Sequence, residues 1–393
     1  MAATREYLET HPWLTFAFKL EFDRNAQMWA LLGEAFSKCQ HLIGAPLTPA
    51  VAAELSSVYL VKGAVATTAI EGNTLTEDEA RAILEGRRKL PPSQRYLQRE
   101  IENVVRALRL VDEATRKNHR IEVDPEWIKE QNRLILDGLD ADEHVTAGGY
   151  TTTRVVVGNY RGAPPGDVPY LMARLTDWLT GLARPVGEEP ANLRFFRAFL
   201  AAVLGHLYIA WIHPFGDGNG RTARLLECAI LANYGLVPWV SANLLSDHYN
   251  RTRSEYYRRL DRASRTGDVA GFVSYATQGF VDLLREQIDV VQHQQLAVSW
   301  ASYVHEQLAM LPNTEATARQ RTLLLSMPDA PVPVAALRRL TPELAELYAS
   351  KSDKTITRDV NRLQALGLVH RDRQEVRPAL DVVEAFIPGR PGR

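Results

Sequence analysis

Cysteine is nearly absent: Cys39 and Cys228 are the two in 393 residues. That excludes a disulfide framework and a cysteine-rich zinc site, and it predicts two small buried thiols in a reducing compartment. Net charge is nearly absent as well. Forty-six basic residues balance 47 acidic ones to −1, so the protein as a whole is not a polycation built to coat nucleic acid or an anionic membrane. No run of 18 apolar residues occurs, and the densest stretch, Phe199–Ile212, contains His206. The opening MAATREYLET lacks a basic segment followed by an apolar one. HExxH and paired-cysteine spacings are missing too. These absences predict a cytoplasmic protein with no membrane segment and no zinc site.

What is present is ordinary globular material, 46% hydrophobic and 24% charged, long enough for two or three domains. Helical signals dominate. Periodicity predicts helices in Asn25–Gly33, Ala50–Val61, Val168–Leu182, Leu193–Ile212 and Arg221–Tyr234, the last closed by Gly235. Thr76 and Glu79 read as a capping box, and Lys89–Ser93 as a connection. The β-branched run 150–157, YTTTRVVV, reads as a strand or hairpin arm. Residues 314–377 change character. Arg319–Met327, Val334–Leu340 and Thr355–Leu366 read as three short helices, and alternation from Leu368 to Val376 follows. The expected divisions are 1–115, 116–300 and 301–393.

The chemistry concentrates in His213-Pro214-Phe215-Gly216-Asp217-Gly218-Asn219-Gly220-Arg221-Thr222-Ala223-Arg224, between two helices. Gly216, Gly218 and Gly220 let backbone N–H groups approach a bound group. The next helix starts here, so its unpaired N–H groups and dipole face the loop. Arg221 and Arg224 lie on one face of its first turn. Together these suit a polyphosphate. Asp217 adds a hard oxygen for Mg²⁺, and His213 a proton acceptor near neutral pH. A Walker loop would need a Lys-Ser/Thr pair, and a dinucleotide fingerprint a preceding strand; the segment has neither. His206, on an apolar helix, reads as a satisfied core histidine rather than a ligand.

This segment matches every fixed position of HPFx(D/E)GNGRxxR and so resembles the Fic family, over roughly residues 120–290. The resemblance implies an all-α domain with a β-hairpin flap, and transfer of AMP from ATP to a target protein's hydroxyl. It implies His213 as the base, Asp217 as the Mg²⁺ ligand, and Gly218, Asn219 and Gly220 as the anion hole. Arg221 and Arg224 would hold the β- and γ-phosphates. Tyr249, Tyr256 and Tyr257 fall where relatives place nucleobase contacts. The flap would be Tyr150–Tyr160, with Arg154, Val155, Val156 and Val157 docking the target by strand addition. Many relatives carry an arginine soon after the glycine preceding the flap; here Thr151-Thr152-Thr153 intervene before Arg154. Doc-type kinases carry Lys where this chain has Gly220.

Thr67-Thr68-Ala69-Ile70-Glu71-Gly72 matches the family's inhibitory motif, (S/T)xxxE(G/N). Thr67 and Glu71 share a helical face, and Gly72 can end the helix. The implied brake is an ion pair in which Glu71 holds Arg224 away from the γ-phosphate. In some members the same glutamate serves removal of AMP, and the sequence leaves that alternative open. It also leaves open a DNA-binding regulator that senses nucleotide. Residues 314–377 resemble a winged helix-turn-helix, with Lys354, Arg358 and Arg362 on one face and Arg371, Arg373 and Arg377 in the wing. Eleven basic and seven acidic residues over 316–377 make the segment modestly basic. Oligomerisation is a control the family resemblance allows.

Overall fold

A computed structural model describes residues 5–19, 25–117, 120–140, 142–158 and 160–385. It divides into two compact units, Met1–Ile288 and Asp289–Arg393. The first unit is built from α1 (Tyr7–Thr10), α2 (Ala26–Gly44), α3 (Pro49–Ile70), α4 (Glu77–Leu84), α5 (Arg95–Arg116) and α6 (Pro125–Leu136). A two-stranded hairpin follows, β1 (Val156–Val157) and β2 (Tyr160–Arg161), then α7 (Val168–Ala183), α8 (Ala191–Ile212) and α9 (Asn219–Ala232). The short α10 (Trp239–Ala242), α11 (Leu244–Arg251) and α12 (Arg253–Thr266) lead into α13 (Val269–Ala309). The architecture is the expected one, helical with a small β-hairpin.

Start signals in the sequence place several of these elements. Thr48 Oγ1 accepts from Val51 N at 3.4 Å, with Pro49 in the first turn of α3. Thr76 and Glu79 form the reciprocal capping box at α4. Asp124 Oδ1 accepts from Trp127 N at 2.7 Å and starts α6. α8 is the central helix, buried from Ala198 through Tyr208, with α7 and α9 packed against it. Both α3 and α8 are long and apolar enough to cross a bilayer by length and composition. The apolarity of α8 serves the core instead, because most of it is enclosed by protein.

The strand expected over 150–157 is confined to Val156–Val157, paired antiparallel with Arg161 and Tyr160. Thr151 interrupts it. Its hydroxyl accepts from Thr153 N at 3.2 Å, and its own N–H donates to Pro214 O at 2.8 Å, so the segment turns rather than extends. Tyr150 makes an isolated bridge to Phe215. Asn159, within the expected flap, lies outside the described residues.

The second unit contains α14 (Glu315–Leu325), a 3₁₀ segment Val334–Arg339, α15 (Pro342–Leu347), α16 (Asp353–Ala365) and α17 (Asp381–Glu384). Its antiparallel sheet has the order β3 (Val332–Pro333), β5 (Glu375–Pro378), β4 (Val369–Asp372). Val334–Leu340 is thus a 3₁₀ turn, and α15 is an additional helix, capped by Thr341 Oγ1 on Leu344 N at 3.1 Å. Its core holds a buried carboxylate. Asp359 accepts from Arg319 Nε at 2.8 Å, Gln320 Nε2 at 2.8 Å and Tyr348 Oη at 3.0 Å.

Candidate active site

α8 ends at Ile212, and His213 turns the chain in the left-handed region at φ 53°. A non-glycine residue held there is strained, and such strain gathers at functional sites. The His213 Nδ1 lies 3.3 Å from Ala210 O, which can only accept. Nδ1 therefore carries the proton, and Nε2 keeps its lone pair. Burial lowers the His213 pKa, outweighing the opposing pull of the Ala210 carbonyl, Glu71 and Asp217. The imidazole is neutral at neutral pH, the form a general base needs.

The loop after His213 is closed by its own side chains. Asn219 Oδ1 accepts from Phe215 N at 2.9 Å, and Asn219 Nδ2 donates to Phe215 O at 2.8 Å. Gly218 sits at φ 77°, and a side chain there would strike Asn132. The buried Asn132 donates to Asp217 O at 2.9 Å and accepts from Gly148 N at 2.9 Å, tying α6 to the loop. The first N–H groups of α9 have no intrahelical acceptor and open into the loop. A side chain at Gly220 would run into Glu71 and Arg224.

The two arginines are both buried and both already paired. Arg221 Nη1 donates to Glu100 Oε1 at 2.8 Å, and Nη2 lies 3.2 Å from Asp217 Oδ1. Arg224 Nε donates to Thr67 Oγ1 at 2.6 Å, and Nη2 donates to Thr67 O at 3.0 Å and to Glu71 Oε1 at 2.5 Å. Glu71 is the C-cap residue of α3, and Gly72 follows at φ 104°. Gly72 N then reaches Ala69 O and Asn73 N reaches Thr68 O, which fixes where Glu71 projects. Burial alone would raise the Glu71 carboxyl pKa, but Arg224, helped by Arg221 and His213, brings it below the ordinary range. The Glu71–Arg224 pair expected from the sequence is present.

A cavity of about 380 Å³ joins these groups: Glu71, His213, Gly220 and Arg224 line it, with Trp211 and Tyr256 as walls. Tyr257 lines it too and is 44% exposed. Tyr249 is a correction. It is fully buried behind Tyr256, ring centroids 4.8 Å apart, and its hydroxyl donates to Glu227 Oε1 at 2.9 Å, so it does not reach the cavity. Asp217 is half exposed beside Arg221.

The hairpin lies against His213. Tyr160 Oη donates to Trp211 O at 2.6 Å, Ala163 N donates to Ile212 O at 3.0 Å, and a side chain at Gly162 would meet His213 Cβ at 2.9 Å. Val156 is exposed and Val155 half-buried. Arg154, expected with the docking strand, instead precedes it and pairs with Glu6. Asn132 and Glu100 are not legible as site residues, because each reaches the motif from a separate helix with no fixed spacing, and Asn73 touches Glu100 behind it rather than the motif.

Comparison with known proteins agrees with this geometry. Residues 122–231 match the model of the Fic/DOC family. Protein adenylyltransferase fic-1 of Caenorhabditis briggsae is 33% identical over 214 residues, 54% of this chain and 38% of the relative. Protein adenylyltransferase Fic of Drosophila willistoni is 30% identical over 261 residues, 66% of this chain and 46% of the relative. This chain thus spans less than half the length of these curated relatives. Among solved structures, a Fic family protein from Desulfovibrio desulfuricans superposes with a TM-score of 0.56 at 21% identity, covering 92% of this chain and 97% of that one. Fic-1 from C. elegans gives 0.53 at 27% identity, over 68% of this chain and 74% of that one. The helical fold brings a histidine, a glycine-rich turn and two arginines together between the end of α8 and the start of α9. Through residues 122–231 the chain is similar to the Fic/DOC family.

Proposed function

We propose that this chain is an autoinhibited, cytoplasmic protein adenylyltransferase that moves AMP from ATP to a Ser, Thr or Tyr hydroxyl of a target protein. The observation that carries the reading is the 2.5 Å Glu71–Arg224 pair inside the cavity that His213 lines. The names of the relatives, protein adenylyltransferase, support the reaction class. In this reading residues 1–115 hold the brake, 116–300 the catalytic centre and 301–393 a winged helix.

His213 Nε2 takes the proton of the target hydroxyl. The hydroxyl oxygen forms a bond to the α-phosphorus, the bond from that phosphorus to the α–β bridging oxygen breaks, and pyrophosphate leaves. The helix N-terminus from Gly218 to Gly220 and the Arg221 guanidinium stabilise the charge on the phosphates. The donor set fits Mg²⁺, since one half-exposed carboxylate beside a polyphosphate site is how this ion is commonly held. Asp217 would hold the ion, which when bound neutralises phosphate charge. Glu71 occupies the Arg224 donor that the γ-phosphate needs, so ATP can enter without taking the reactive posture. The hairpin strand, with Val156 exposed, is the place for the target segment to add as a strand.

The C-terminal unit supports a DNA-binding role. Lys354, Arg358 and Arg362 are exposed at four-residue spacing on α16, and Arg373 and Arg377 are exposed around the β4–β5 turn. The transferase is tested by incubating the full chain and its Glu71→Gly variant with ATP labelled on the α-phosphate. Label on protein in the variant supports the reading, and equal absence of label in both overturns it.

A further inference from the structure

Directly behind one wall of the cavity lies a cluster of four buried polar side chains that the proposed reaction does not use. Glu227, His206, Tyr249 and Tyr256 are each at most 2% exposed. Tyr256 Oη lies 2.9 Å from His206 Nε2, and His206 Nδ1 lies 3.1 Å from Glu227 Oε2. Tyr249 Oη donates to the other oxygen, Glu227 Oε1, at 2.9 Å. Three protons serve all four groups: Tyr256 O–H donates to His206 Nε2, His206 Nδ1–H to Glu227, and Tyr249 O–H to Glu227. Burial raises the pKa of both phenols, so they stay donors. A buried carboxylate is expensive to keep, and well-packed apolar residues would fill the same volume with less desolvation.

The placement of the cluster says what the carboxylate does. His206 is on α8, seven residues before His213, the base that ends the helix. Glu227 is on α9, three residues after Arg224. Tyr256 is on α12, and its ring lines the cavity with Arg224 and His213. One relay therefore pins together the three helices that carry the base, the phosphate arginine and the aromatic wall. It also turns the Tyr256 hydroxyl inward, so the cavity meets the ring rather than a hydrogen-bonding group. A ring fixed in this way offers an aromatic wall of defined position.

We propose that Glu227 and His206 are positioning residues that fix the Tyr256 ring as a wall of the nucleotide cavity, and so set the affinity for ATP. This rests on the nucleotide-transfer reading of the site but concerns binding rather than the chemical step. Fixing the wall stabilises bound ATP in ground and transition state alike, so its loss raises KM and leaves kcat nearly constant.

The test uses the full chain in the Glu71→Gly background. Tyr256→Phe keeps the ring and deletes the tether, and Glu227→Gln keeps the shape and alters the relay. His206→Ala empties the core and is the variant most exposed to misfolding, so the first two carry the weight. Both are expected to keep the parent's circular dichroism, raise KM for ATP roughly threefold to tenfold, and leave kcat within about twofold, the span of one neutral hydrogen bond. Equilibrium ATP affinity, measured by calorimetry with Mg²⁺, is expected to fall by the same factor. Folded variants with unchanged ATP affinity overturn the relay, as does a fall in kcat at constant KM. A parent that binds ATP but labels no protein removes the transferase reading alone, and the calorimetric comparison still decides the relay. A parent that binds no ATP overturns both.

Discussion

Replacing Glu71 by glycine removes one ionic hydrogen bond, the 2.5 Å contact to Arg224. Hydrogen bonds to charged groups contribute about 1.5–3 kcal/mol, and 1.4 kcal/mol corresponds to about tenfold in rate or equilibrium. If the γ-phosphate must displace that bond to bring ATP into the reactive posture, the variant labels protein about 10- to 150-fold faster. The Glu71 side chain keeps 33% of its surface exposed, and solvent screening places the expectation in the lower part of that range, about 10- to 30-fold. The same substitution leaves Arg224, with 1% of its side chain exposed, facing only the neutral Thr67 oxygens. Stability should therefore fall by about 1–3 kcal/mol while activity rises. The assay is the initial rate of protein labelling from α-labelled ATP, paired with denaturant unfolding of the same samples. Thr67→Ala removes a bond to a neutral acceptor and leaves Glu71 in place, so its rate gain should be smaller. An unchanged rate in Glu71→Gly, or a larger gain in Thr67→Ala, refutes the reasoning.

The other expectations follow from the same contacts. Burial depresses the His213 pKa, so the Glu71→Gly variant should keep kcat/KM as pH falls through 6.5, ordinary for histidine, and lose it only further into acid; a midpoint at or above that value contradicts the assignment. The Glu71 carboxyl is depressed in the folded state, so its stabilisation is present above the unfolded carboxyl range and is lost as pH falls through the lower folded value; comparing wild-type and Glu71→Gly unfolding from neutral pH into that range should show the difference shrink. Asp359→Ala strands the buried Arg319 and should cost about 3–5 kcal/mol in unfolding of the C-terminal unit, against less than about 1 kcal/mol if the pair is dispensable. If the C-terminal unit binds DNA, Arg358→Ala should lower the salt slope of affinity by about one and weaken binding evenly across sequences; a slope of zero in the wild type removes the DNA role.

Much of this is legible in the sequence alone, for identifiable reasons. The His213–Arg224 loop packs a histidine, glycines and arginines into twelve consecutive residues, so its composition is readable without tertiary information. Thr67 and Glu71 share a helical face, and Gly72 marks the helix end, so the direction of the Glu71–Arg224 pair is readable too. The Thr76–Glu79 box is legible because both partners are local. What sequence reasoning missed depends on burial or on chain meeting chain. Tyr249 and Tyr256 look alike in sequence, yet one lies behind the other and only Tyr256 reaches the cavity. Glu100 and Asn132 sit on helices far from the motif and touch it only in the folded state. The 150–157 run has strand composition, but the Thr151 hydroxyl turns the backbone and shortens the strand to two residues. α15 carried a readable signal, Thr341 before Pro342, that the neighbouring proline-containing turns obscured.

The central claim is that AMP, and not the terminal phosphate, travels to protein from a site that His213 activates and Glu71 restrains. The most direct measurement incubates the Glu71→Gly variant, with and without His213→Ala, with ATP labelled on either the α- or the γ-phosphate. The account predicts α-label on protein, γ-label in free pyrophosphate, and no protein label once His213 is replaced. Protein labelled from the γ-phosphate, or α-labelling that persists without His213, contradicts it.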